Sequence, residues 1–149
     1  MWKLQTSERM ARWRDFRKQL NQMSLDDALM AVVDFWYRCP YTPYYLDPSK
    51  PETWPEPWQL VEENYYCDVA KSLGMLYTIY LSDHKNSIEC ELRIYKDPET
   101  GFIYNLVYLN QGKYVLNLVE DEIVNNTSID KKFKLLHCYD SGALNLEKY

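Results

Sequence analysis

Asp68-Val69-Ala70-Lys71-Ser72-Leu73-Gly74-Met75-Leu76-Tyr77-Thr78-Ile79-Tyr80-Leu81 and, after a polar break, Ile88-Glu89-Cys90-Glu91-Leu92-Arg93-Ile94-Tyr95 together decide the fold. The first run is apolar almost all round at helical spacing, which predicts a central, buried helix. In the second, Ile88, Cys90, Leu92 and Ile94 alternate with Glu89, Glu91, Arg93 and Tyr95. The period has fallen to two, the mark of a half-buried strand. Asp97-Pro98-Glu99-Thr100-Gly101 reads as a turn into a strand over residues 102–109, and Asn110-Gln111-Gly112 as a tight connection to a strand over 113–118. Residues 133–139 supply a last strand, and 141–149 read as a short polar tail. The expected class is α+β: N-terminal helices and a central buried helix on an antiparallel meander of about four strands. Gly74 costs about 1 kcal/mol relative to Ala inside a helix, so its expected purpose is the close approach of a neighbouring element.

Upstream, Met10, Trp13, Phe16 and Leu20 recur at three and four, predicting an amphipathic helix over residues 7–23 with its basic side facing out. Ser24 precedes Leu25-Asp26-Asp27-Ala28, an N-cap followed by acids where the helix dipole favours them. A second helix then buries Leu25, Leu29, Val32, Val33, Phe35 and Trp36 and ends before Pro40. Six of the seven prolines fall between Pro40 and Pro57, interleaved with Tyr41, Tyr44, Tyr45, Trp54 and Trp58. This segment is expected to be an ordered wrap, its φ angles fixed by proline and its rings providing anchorage. The chain is expected to form a single domain over 1–149: a helical part (1–38), the wrapping loop (39–58), and a helix with its sheet (59–149).

Composition narrows the function classes. The 46% hydrophobic and 26% charged residues among 149 are those of an ordinary globular protein, and a chain this long buries about 70% of the surface it would expose unfolded. Residues 1–13 lack an apolar leader core, and no run approaches the roughly 18 apolar residues of a membrane span. Cys39, Cys67, Cys90 and Cys138 have no CxxC spacing, so free thiols, a reducing compartment and no metal are expected. Net charge is −5, although Lys3, Arg9, Arg12, Arg14, Arg17 and Lys18 crowd the first twenty residues against Glu8 and Asp15. That polarity can steer an acidic partner to the N-terminus, but nucleic-acid binding is not expected of so acidic a chain. The 14 Tyr and 5 Trp are residue types enriched at protein interfaces. They nominate Tyr41, Tyr44, Tyr45, Trp54, Trp58 and Arg12 as interface residues.

Cys67 stands where the central helix begins. Unsatisfied N–H groups and the positive helix end activate a thiol there, although the same place also suits an inert buried cysteine. The hairpin that follows, Gly101-Phe102-Ile103-Tyr104-Asn105-Leu106-Val107-Tyr108-Leu109-Asn110-Gln111-Gly112-Lys113-Tyr114-Val115-Leu116-Asn117, resembles the transglutaminase-like core of the papain-like superfamily. That family's nucleophile opens a helix, and its hairpin carries the base and the orienting acid. The resemblance covers about residues 58–118. It implies the nucleophile at Cys67, the base at Phe102 and the orienting acid at Asn117. Phenylalanine accepts no proton, so the implied core has lost its base. His84 lies at the far end of the helix, about 25 Å from Cys67, which leaves His137, oriented by Asn117 or Asp140, as the one rescue.

Thr53-Trp54-Pro55-Glu56-Pro57-Trp58, Asn64-Tyr65-Tyr66-Cys67 and Lys113-Tyr114-Val115-Leu116-Asn117 are also similar to small proteins of tailed bacteriophages. The expectation is a non-catalytic, transglutaminase-like assembly subunit, of a baseplate or neck, found in the host-cell cytoplasm and the virion. Its partners would be other protein subunits, with no small-molecule cofactor. A cysteine hydrolase or acyltransferase using Cys67 with His137 is the alternative, and a phage inhibitor of a host enzyme is the second.

Overall fold

The computed structural model describes residues 1–125 and 128–149. Helix α1 (Thr6–Leu20) and helix α2 (Leu25–Tyr37) come first, and Ser24 caps α2 by accepting the Asp27 N–H at 3.2 Å. Helix α3 (Pro57–Glu63) begins with proline at its first position, where the missing N–H costs nothing. The wrapping loop therefore ends before Pro57, and Trp58 is helical. Helix α4 (Asp68–Tyr80) is the central helix, with ten of its residues buried.

Among the described residues five antiparallel strands follow: β1 (Cys90–Lys96), β2 (Ile103–Leu109), β3 (Tyr114–Leu116), β4 (Ile123–Val124) and β5 (Lys134–Asp140). Their order is β4-β3-β2-β1-β5, so the last strand returns to lie beside the first. The α+β class stands as read. The two-residue β4 went unseen because it is too short to show a period. Between Ile94 and Tyr95 the pairing with β5 slips, since Ile94 faces His137 while Tyr95 faces Leu135; one extra residue bulges from the edge.

Helices α2 and α4 and the inner face of the sheet share one buried cluster, which includes Trp13, Trp36, Leu73, Leu92, Ile94, Val107 and Leu116. The indole N–H groups of Trp13 and Trp36 both donate to the Thr78 hydroxyl, at 3.0 and 2.9 Å, and that hydroxyl donates to the Gly74 carbonyl at 2.7 Å. Gly74 faces the Trp36 ring so closely that a β-carbon there would lie inside the ring's van der Waals surface. Close approach is what the glycine serves.

Four expectations are corrected. Arg9 does not face out: it is 6% exposed and binds the carbonyls of Leu4, Val61 and Glu62 at 2.7–2.9 Å, fastening α1 to the end of α3. Helix α1 stops at Leu20 rather than 23. Tyr95, assigned to the open side of β1, is fully buried, because helix α5 (Ile129–Lys132) covers the outer sheet face and Asp130 accepts the Tyr95 hydroxyl at 2.7 Å. The tail is not wholly polar, since Leu144 and Leu146 join the main core.

Candidate functional site

Cys67 is the N-cap of α4, with extended backbone and no side-chain capping bond. Asn64 makes its position possible: with φ +59 it ends α3 in the left-handed region, a conformation asparagine tolerates, and turns the chain toward α4. Tyr66 then bridges in parallel to Tyr41, and its carbonyl accepts the Thr42 N–H at 3.0 Å. The wrapping loop is thereby drawn across the thiol. The backbone N–H of Leu46 points at the Cys67 sulfur from 3.4 Å, and the residue is 7% exposed. A concavity of about 390 Å³ opens beside it, walled by Tyr41, Tyr44, Leu46, Ile103 and Asn105.

Strand parity decides what faces the sulfur. Asn105, Val107 and Leu109 point to the helices, whereas Leu106 and Tyr108 join the outer cluster and Tyr104 stacks on Phe133 at 5.0 Å. Ile103 follows the inner parity and lines the concavity. Phe102, the position implied for the base, precedes the strand and is 65% exposed. Neither residue accepts a proton.

Asn117 is engaged elsewhere. Its amide donates to the Ser72 hydroxyl at 2.8 Å and to the Asn105 carbonyl at 2.9 Å, and Ser72 donates to that carbonyl at 2.6 Å. This clamp ties β2, α4 and the end of β3 together and orients no imidazole. His84 donates its Nε2–H to the Leu20 carbonyl, 2.8 Å away, beyond the far end of α4.

His137 is closer than sequence distance suggests. It pairs with Ile94, which pairs with Asn105, so one row of the inner face runs from β5 to the concavity, across two strand spacings or about 10 Å. The wrapping loop fills the interval: Leu46 meets the sulfur, and the Pro48 carbonyl accepts the Tyr139 hydroxyl at 2.7 Å. The His137 ring stacks on Tyr139, 5.8 Å between centroids. Asp47 beside it sits below the usual carboxylate range, first through the hydroxyl and N–H of Ser49, with His137 a smaller pull. Among the described residues, the Leu46 N–H is the one hydrogen-bond partner of the Cys67 sulfur.

Compared with family models, with curated proteins and with solved structures, the chain matches none of them. The site is therefore read from its own atoms. The remaining thiols are quiet: burial pushes Cys39 up to about 11 and Cys90 up to about 12, and Cys138 is raised by burial and by the Glu91 carboxylate it meets at 3.3 Å.

The six interface residues separate into three groups. Tyr41 and Tyr44 are 67% and 101% exposed at the mouth of the concavity. Tyr45 and Trp54 turn inward, Tyr45 against Tyr65 and Trp54 donating to the Asp47 carbonyl at 2.8 Å with its edge on Tyr139. Trp58 is half-covered by Trp13, Tyr149 and the Arg17 guanidinium, and Arg12 is exposed on α1. Sequence reasoning missed Ile103, an exposed apolar side chain in the wall of the Cys67 concavity. The alternation of β2 would have flagged Ile103 as inward, and its place at the strand end as uncovered. Tyr44 is also the one residue of this group with φ in the left-handed region, at +59.

Proposed function

We propose that the chain is a non-catalytic protein of transglutaminase-like build that serves as a subunit of a protein assembly, docking through the aromatic mouth around Cys67. The observation that carries this reading is Tyr44. A non-glycine residue in the left-handed region costs about 1–2 kcal/mol, and here that cost holds a large ring wholly in water. Strain kept at an exposed aromatic serves a contact the isolated chain does not make. The phage resemblance extends the reading to a virion subunit, of a baseplate or neck, made in the host-cell cytoplasm. Loss of catalysis is supported by Ile103, an aliphatic side chain, lining the concavity, and by Phe102 at the position the resemblance implies for the base.

The test is purification from the native source. The wild-type chain is expected to travel with other subunits in a large particle. Cys67→Ala is expected to travel with them unchanged, and Tyr41→Asp with Tyr44→Asp to fall out as free protein. Migration of the wild type as a free monomer overturns the proposal.

The cysteine hydrolase remains as a second reading because His137 shares the inner face and row with the concavity. It demands that Cys67 alkylate fast at neutral pH and that His137→Ala abolish this. We expect instead that iodoacetamide mapping by mass spectrometry labels Cys67 slowly, at a rate His137→Ala leaves alone.

A further inference from the structure

A second concavity, of about 610 Å³, lies on the other side of the Tyr41-Thr42-Pro43 segment, between the start of the chain and the ends of α2 and α3. Its volume is that of a ligand site. Trp2 and Tyr65 give it aromatic walls, Thr42 and Asn64 give it polar atoms, and Lys3 and Arg38 bring two cations. Among the described residues no carboxylate side chain lines it. Among the described residues neither Lys3 nor Arg38 makes a side-chain ion pair or hydrogen bond. In a chain of net charge −5, two cations converging on one concavity that holds no carboxylate leave a local positive charge complementary to an anion from outside.

The backbone around the concavity restricts what that anion can be. Both helices that reach it do so with their carboxyl ends: Arg38 is the C-cap of α2, and Asn64 is the C-cap of α3. Helix carboxyl ends present carbonyl oxygens and partial negative charge. A phosphate is best held by backbone N–H groups at helix amino ends, and neither helix brings an amino end here. An extended peptide carries what both sets of groups ask for, N–H donors along its backbone and carboxylates on its side chains. Arginine pairs with a carboxylate in bidentate fashion, and the aromatic walls accept apolar neighbours of the acid.

We propose that this concavity binds an acidic peptide segment of a partner protein, its carboxylates held by Arg38 and Lys3. The site is separate from the Tyr44 mouth and does not depend on the assembly reading.

The test uses the full chain and a synthetic library of fluorescent peptides, each made twice, with Asp and Glu or with Asn and Gln in their place. Acidic members are expected to bind in fluorescence anisotropy, more weakly as salt rises, and to outbind their amide twins by about tenfold, the weight of two exposed ion pairs. Lys3→Glu with Arg38→Glu is expected to remove that tenfold without shifting the melting temperature, since both side chains are exposed. Tyr44→Asp is expected to leave peptide affinity intact. Equal binding of the twins, binding by no acidic member, indifference to the charge reversal, or displacement of the peptide by inorganic phosphate at matched ionic strength each overturns the proposal.

Discussion

Tyr44 and Arg9 show at the level of single residues that exposure and charge are poor guides until the backbone is known. Tyr44 is fully exposed in a strained conformation, and Arg9 is a buried cation that closes the end of a helix. Replacement of Tyr44 by Asn, which tolerates the left-handed region, is therefore expected to raise stability by about 1 kcal/mol. Urea titration measures this as a higher midpoint at unchanged slope. If the chain acts as the proposed subunit, the same variant is expected to leave its particle, so that stability and incorporation move in opposite directions. A variant no more stable than the parent would show that the conformation at this position carries no strain.

Among the elements, the wrapping loop is held through its backbone carbonyls, by its own Trp54 and by tyrosines of α4 and β5. Trp54 binds the Asp47 carbonyl, Tyr139 the Pro48 carbonyl and Tyr77 the Pro55 carbonyl, at 2.7–2.8 Å. Trp54→Ala removes one hydrogen bond and one ring contact, a loss of about 2 kcal/mol. Limited proteolysis is expected to cut this variant between Tyr41 and Thr53 while the strands stay intact. Cleavage in the sheet first would assign the anchoring elsewhere. The order of elements was legible in the residues because the switch from helical to alternating spacing near Ile88 is strong, and Ser24 and Pro40 bracket α2. Facing was less legible. Tyr95 looks outward on β1 until α5 covers it, and the basic stripe of α1 looks solvent-bound until the carbonyls of Val61 and Glu62 arrive beneath Arg9. The site followed the same division: Cys67 at a helix start was readable, whereas the row linking His137, Ile94 and Asn105 depends on a register that only long-range pairing sets.

For the whole molecule, the contact between Gly74 and the Trp36 ring, reinforced by the two indole bonds to Thr78, locks the N-terminal helices to the central one. Gly74→Ala gains about 1 kcal/mol in helix propensity but forces a methyl into a filled space, and overpacking of this kind costs about 1–3 kcal/mol. Because the obstacle is a buried indole fixed at its N–H, we expect a net loss of about 2 kcal/mol by denaturant titration. A stabilised variant would mean that α2 and α4 part easily. The extra residue bulging from β5 acts at the opposite boundary of the molecule. On either side of it the strand's facing is out of step, so a second copy laid antiparallel along the free rim matches side chains over only part of its length. Ribbon-like stacking from sheet to sheet is thereby discouraged in concentrated solution, and the rim remains a terminus.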